Sequence, residues 1–210
     1  GKLQQIGNYA FSNCVALNSI NVSTVTKFGS SAFANTAIEH LSINGNATLG
    51  KNMFSGLTSL KTVTFTEGSA TLPSSLFEKC TALTSVTLPD KITAIPSSLF
   101  ESCANLTEVN IPDTVTSIGS YAFSGCSSLT SVNVGDKVTS IGSAAFKDCT
   151  SIKSIYIPAT VKSIDASGIF SGWTSAQTIN FGYEGYQAFR LYGEKLLSGC
   201  AAKVNFGVAK

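Results

Sequence analysis

Phenylalanine recurs through this chain at a nearly fixed interval: Phe11, Phe33, Phe54, Phe77, Phe100, Phe123, Phe146 and Phe170 are spaced by 22, 21, 23, 23, 23, 23 and 24 residues. The stretches Ile92 to Pro112, Val115 to Gly135 and Val138 to Pro158 align with one another without a gap. Self-similarity at a short fixed period marks a stack of like units, each touching only its neighbours. One unit buries too few apolar side chains to offset the ordering of about 23 residues at roughly 1–2 kcal/mol each. Units must therefore stack, and every inward position becomes a ladder of like residues. A Phe ladder, a Cys ladder and an aliphatic ladder from Val63, Val86, Val109, Val132, Ile155 and Ile179 follow. With neighbouring strands about 4.8 Å apart, eight rungs make a body on the order of 40 Å long.

Within the unit, Leu83 to Leu88 alternates apolar and polar residues, the period-2 pattern of a strand with one buried face. Val86 and Leu88 then point inward, Ser85 and Thr87 outward. Pro89-Asp90, Pro112-Asp113 and Gly135-Asp136 spell the turn that stops each strand, because Pro fixes φ and Asp can bond nearby backbone. A second short extended piece, Val115 to Ile118, crosses the far side. About one helical turn is expected next. Ser75 with Glu78, and Ser98 with Glu101, have the spacing of a capping box in front of a helix.

The units resemble the BspA-like (Treponema pallidum-type) class of leucine-rich repeats, through Ile118-Gly119, Ala122-Phe123, Cys126, Leu129, Val132 and Val134 and their copies from Leu3 to Phe181. The resemblance implies an α/β repeat: a right-handed leucine-rich-repeat solenoid with a parallel β-sheet face, about eight repeats of roughly 23 residues and short helical turns. It also implies a surface or secreted protein of a host-associated bacterium or protozoan, engaged in adhesion and protein binding. Some units depart from the pattern. Thr36 and Leu57 stand in the Cys position, Met53 replaces Ala, and the unit around Phe170 carries an extra residue with Trp173 in place of Cys.

The solenoid is expected over residues 1–182, with a capping helix and strand over 183–210 in the same domain. Tyr186 to Leu197 has the apolar spacing of a short amphipathic helix, and Lys203 to Phe206 could add a final strand over the open end. No comparable cover precedes Leu3, so a fragment of a longer protein, with the remainder upstream, is the expectation.

Composition narrows the partner. Hydrophobic residues make up 43% of the chain and charged ones only 12%, so Ser and Thr, about a quarter of it, must cover the surface. A net charge of +2 from scattered basic residues gives no footprint for nucleic acid or anionic lipid. No apolar run reaches the 18 or so residues of a membrane span. A monomer is expected.

Catalytic, metal and cofactor chemistry find little foothold. Cys80, Cys103, Cys126 and Cys149 recur every 23 residues without the close pairs of metal sites. They read first as a column of buried thiols, with disulfides between rungs and then metal as the lesser alternatives. His40, the single histidine, reads as a rim residue just ahead of the strand at Leu41, since no nucleophile-elbow sequence accompanies it. The outward row of the strand face should form one continuous surface. His40, Thr87, Glu108, Asn110, Asn133, Tyr156 and Asn180 on that row are the candidate partner-binding residues, with Tyr156 foremost as a large amphipathic ring among small polar groups. The competing reading for Tyr156 is a β-favouring residue packed against Asn133 or Asn180. The chain therefore reads as a non-enzymatic protein-interaction or adhesion module, secreted or at the cell surface, binding a host or cell-surface protein without cofactor or metal. A glycan-binding surface protein, an intracellular scaffold and a degenerate enzyme or inhibitor domain are the alternatives.

Overall fold

The computed structural model describes residues 3–165, 167–182 and 197–209. Among them the chain forms thirteen short strands. In chain order these are β1 (Gln5–Ile6), β2 (Lys27–Phe28), β3 (His40–Ile43), β4 (Thr62–Phe65), β5 (Ser85–Thr87), β6 (Ala94–Ile95) and β7 (Glu108–Val109). There follow β8 (Ser117–Ile118), β9 (Ser140–Ile141), β10 (Ser154–Ile157), β11 (Ser163–Ile164), β12 (Thr178–Phe181) and β13 (Lys203–Asn205). Every pairing is parallel and joins equivalent positions of successive coils, as in the run Leu41, Val63, Val86, Val109. The inward residues of β1 to β12 are buried and the outward ones exposed or half-buried, while the inward Val204 of β13 is half-buried, so the period-2 reading of the strand half holds.

The strand face is not one continuous sheet. One ladder runs β3-β4-β5-β7 and another β10-β12-β13, and the coil at Ser131 to Val134 between them belongs to neither. On the far side β6-β8-β9-β11 passes straight through that coil, while the far-side gap between Thr48 and β6 lies where β3, β4 and β5 are paired. Each gap on one face is thus spanned by a ladder on the other. His40 opens β3 rather than preceding it. β13 adds the expected last strand, parallel to β12, and Phe206 stacks on Phe181 at 5.5 Å between ring centroids. The helix expected from Tyr186 to Leu197 falls almost wholly outside the described residues.

The arc carrying the phenylalanines corrects the helical expectation. No helix occurs among the described residues, and this arc is a run of overlapping turns. The residue two before each Phe and the residue two after it both have positive φ, as at Ser75 (58°) and Lys79 (60°) around Phe77, or Tyr121 (57°) and Gly125 (75°) around Phe123. Ser75 and Ser98 are therefore left-handed turn residues and not helix caps. Alternate amides along the arc bond in two directions. Ser75, Phe77 and Lys79 donate to Ser97, Leu99 and Glu101 of the next coil at 3.1, 3.0 and 2.7 Å, while Glu78 and Cys80 donate three residues back, to Ser75 and Phe77.

Spacing explains the choice. The phenylalanine rings stack at centroid distances from 5.5 to 6.1 Å along the whole run from Phe11 to Phe170. An α-helix is about 10–12 Å across with its side chains, so helices could not follow one another at that interval. An alternating left- and right-handed turn is thin enough. Left-handed residues cost about 1 kcal/mol or more each when they carry a Cβ, and the bonds between coils offset that cost.

Close approach also explains Gly119 at the corner before the arc, a position that Pro96 takes in the preceding coil. A Cβ on Gly119 would lie 2.5 Å from the Ser97 amide nitrogen of the preceding coil, whereas at Gly7, with no described coil before it, nothing lies within 4 Å. Hydroxyls complete the lattice. Thr84, Thr107 and Thr130 each donate Oγ1 to the equivalent carbonyl of the coil before, at 3.1 to 3.2 Å, and Thr116 and Thr139 do the same on the far side.

Phe123 is fully buried, with Phe100 and Phe146 stacked on its two faces. Phe123→Ala should cost about 3–5 kcal/mol in urea unfolding; a loss under about 1 kcal/mol would show that the stack does not carry the fold.

Candidate functional site

The cysteine column has a structural task that spacing alone did not disclose. Cys80, Cys103, Cys126 and Cys149 are free, buried thiols, and each donates its S–H to the carbonyl of the phenylalanine one coil earlier, at 2.9 to 3.1 Å. A small apolar side chain with one weak donor suits this place. Trp173 keeps the bond, since its Nε1 donates to the Phe146 carbonyl at 2.8 Å. Leu57 cannot donate, and the carbonyl it would have served, that of Phe33, instead receives the Thr36 hydroxyl at 2.9 Å. Burial pushes the Cys80 and Cys149 thiols up to about 12 and lifts those of Cys103 and Cys126 in the same direction. They are held as neutral thiols, the opposite of what a nucleophile or metal ligand needs. Among the described residues no group of three or more His, Cys, Asp or Glu side chains is placed to hold a metal ion.

His40 lies on the exposed rim. Its Nδ1 is 2.8 Å from the Thr62 hydroxyl, and its Nε2 is 3.9 Å from the Glu39 carboxylate. Glu39 itself pairs with Lys61 at 2.7 Å, and that hydrogen bond and charge hold its carboxyl below the ordinary value. Gln177 is a buried polar residue that sequence reasoning missed. Its Nε2 donates to the carbonyls of Cys149 and Ile152 at 3.1 and 3.0 Å, and its Oε1 accepts from the Thr174 amide. That environment ties the Trp173 coil to the one before it.

The concavity of interest lies on the strand face between β5 and β7. A depression of about 870 Å³ opens where their pairing ends at Val86 and Val109, and Thr87, Glu108 and Asn110 line it together with Ser85, Asp90 and Asp113. Three candidate residues thus come together. Asn133 is exposed one coil further on, in the segment outside either ladder. Tyr156 and Asn180 sit in the other ladder, in register with Asn205. Asn180 Nδ2 donates to Ser154 Oγ at 2.9 Å and Asn205 Nδ2 to Asn180 Oδ1 at 2.8 Å, so the amides form a short ladder of their own. Tyr156 is half-buried, and its hydroxyl lies against Gly182, 2.8 Å from where a Cβ there would stand. His40 lines a separate depression with Ser19, Asn21 and Ser42. The rim aspartates Asp90 and Asp113 were read only as turn residues, recurring with Asp136 at the same turn of three successive coils. Asp90 does bond backbone, but that of the preceding coil, accepting from the Gly68 amide at 3.3 Å.

A family model described as the BspA type leucine rich repeat region matches residues 1–107 and 93–201, with six copies. The chain belongs to that family. A leucine-rich repeat protein from Bacteroides ovatus is similar in fold, with a TM-score of 0.72 and 24% identity, over 96% of this chain and 52% of its own. A second, from Eubacterium ventriosum, has a TM-score of 0.63 and 28% identity over 72% of this chain and 44% of its own. The chain spans about half the length of these two solved proteins. No curated protein matches it.

Unfolded thiols ionise at roughly 8.5, whereas Cys80 and Cys149 hold their protons up to about 12, and Cys103 and Cys126 are raised in the same direction. The stability they lend is therefore complete below the unfolded value and is lost as pH rises toward the folded one, by about 1.4 kcal/mol per pH unit for each thiol. Urea unfolding between about pH 8 and pH 11 should show Cys149→Ala flattening that decline by one thiol's share. In the native protein the exposed Cys14 should label promptly and the four column thiols only on unfolding. Rapid native labelling of Cys80 or Cys103 would refute the buried column.

Proposed function

We propose that this chain is a non-enzymatic protein-interaction module of a secreted or cell-surface protein, and that its partner docks on the strand face. The depression beside β5 and β7 carries this reading, because it gathers Thr87, Glu108 and Asn110 into one concavity on an otherwise regular surface. Membership of the BspA-type repeat family supports an interaction role. So does the employment of the other reactive groups in the fold: the column thiols serve Phe carbonyls, and the threonine hydroxyls serve neighbouring coils. Tyr156, Asn133, Asn180 and His40 extend the proposed surface on either side of the depression.

The test begins with a binding screen of the intact chain against extracellular-matrix proteins and glycans. For a partner so found, Asn110→Ala combined with Thr87→Ala should weaken binding by about 1 kcal/mol or more and leave the melting temperature nearly unchanged, since both side chains are exposed. Tyr156→Ala should act in the same sense if the surface extends so far. Lys137→Ala, on a turn, should change either quantity by no more than about 0.5 kcal/mol. Binding lost at Lys137 and untouched at Thr87 and Asn110 would move the site off the strand face.

A further inference from the structure

We propose that the far side of the two coils carrying Ala47-Thr48-Leu49 and Ala70-Thr71-Leu72 is a compliant joint, at which the solenoid opens and closes while its strand face stays paired. The sequence of these coils sets them apart. Paired far-side segments turn two branched aliphatic residues inward: Ile92 with Ile95, Val115 with Ile118, and Val138 with Ile141. The two exceptional coils turn in a small alanine and a leucine, Ala47 with Leu49 and Ala70 with Leu72. Branched side chains pack well on a pleated surface, whereas alanine has few atoms to make contact and a weak preference for strands. Ala70 is buried yet stands outside the continuous core cluster that includes Leu72 and Ile92.

Pairing fails at the same place. The far-side ladder β6-β8-β9-β11 stops at β6, and from the other direction a single bridge, Lys27 with Thr48, is the last contact of strand type. Depressions of about 360 and 150 Å³ flank the Ala70 segment, one toward the Ala47 coil and the other toward Ile92 to Ala94. The threonine hydroxyl bonds that tie Thr139 to Thr116, and Thr116 to Thr93, lead to the rim of the smaller depression, which Thr93 lines. The remaining sides of these coils are closed. β3, β4 and β5 pair in register from His40 to Thr87, and Phe54 stacks on Phe77 at 5.6 Å with 7° between the ring planes. Close-packed groups resist displacement, but a segment with free space on both flanks does not. Separation on the far side therefore breaks no ladder, and the strand face serves as the hinge line. Because β5 borders the strand-face depression, movement at the joint changes the curvature of the surface beside it.

Two measurements on the intact chain test the joint. In amide hydrogen exchange, Thr71 and Leu72 should exchange at least about tenfold faster than Ser117 and Ile118, their counterparts in a paired coil, and than Val63 and Thr64 on the strand face of their own coil. Spin labels two coils apart, in a Cys14→Ser background, then read the motion itself. Thr48→Cys with Thr93→Cys, across the joint, should give a broad distance distribution. Thr93→Cys with Thr139→Cys on the paired far side, and Ser42→Cys with Thr87→Cys on the strand face, should give narrow ones; all five positions are exposed. Ser69→Val, Ala70→Thr, Thr71→Ser and Leu72→Ile together write into this coil the order of Val115 to Ile118, and should slow exchange at positions 71 and 72 and narrow the distribution across the joint. Exchange at Thr71 and Leu72 as slow as at Ser117 and Ile118 would overturn the proposal, as would a distribution across the joint no broader than the one on the paired far side. Equal breadth on the strand face would also sink it, since the coils would then loosen as a whole. A fourfold variant that folds yet keeps the fast exchange counts against it in the same way, and if that variant does not fold, the exchange rates and label pairs of the parent chain decide the matter.

Discussion

The distance from one coil to the next governs this protein. Strand ladders hold it near about 4.8 Å on the two faces, and the phenylalanine rings repeat it at 5.5 to 6.1 Å along the arc. Side chains and backbone conformations are admitted or refused by that interval. It rejects a helix in favour of left-handed turns, and it empties the corner at Gly119 of a Cβ. It also brings each thiol within reach of the carbonyl one coil back. These features are one constraint met at different points of the coil.

The same constraint accounts for the sparse charge. A side chain repeated at one position of stacked coils faces its own copy, so a repeated Lys or Asp would build a column of like charges, each destabilising its neighbours. A neutral group that both donates and accepts has no such penalty. Asn35 bonds Asn13 at 2.9 Å and Asn205 bonds Asn180 at 2.8 Å, while threonines pass hydrogen bonds from coil to coil. The hydroxyl-rich composition is therefore part of the lattice as well as its skin. Asp90, Asp113 and Asp136, at equivalent turns of successive coils, depart from that rule.

The faces differ in what they offer a partner. On the far side short two-residue strands pair like with like and leave small depressions. On the strand face the ladder ends at Val109 and resumes at β10, and the surface opens beside that interruption. A perfectly repeating solenoid would present a uniform ribbon with no preferred place to bind. Local departure from the repeat creates a distinguishable site, and here it coincides with Glu108, an acidic residue on the outward row.

Much of the architecture was legible in the sequence because periodicity is a property of the chain itself: Phe11 to Phe170 fixed the unit, and Val86 with Leu88 fixed which side of the strand turns inward. The four cysteines announced a buried column in the same way. The helical turn was misread at Ser75 and Ser98, where a capping-box spacing is a local signal and the decision belonged to the coil above, too close to admit a helix. The bonds made by the four column thiols and the Trp173 indole were hidden for a related reason, since each joins residues 26 or 27 positions apart. The union of Thr87, Glu108 and Asn110 with Asp90 and Asp113, and the separation of Tyr156 and His40 from them, likewise emerged only when the coils were stacked. Sequence determines which residues recur and on which side of a coil they fall; where a ladder opens, and what then stands across the gap, depends on how neighbouring coils settle against one another.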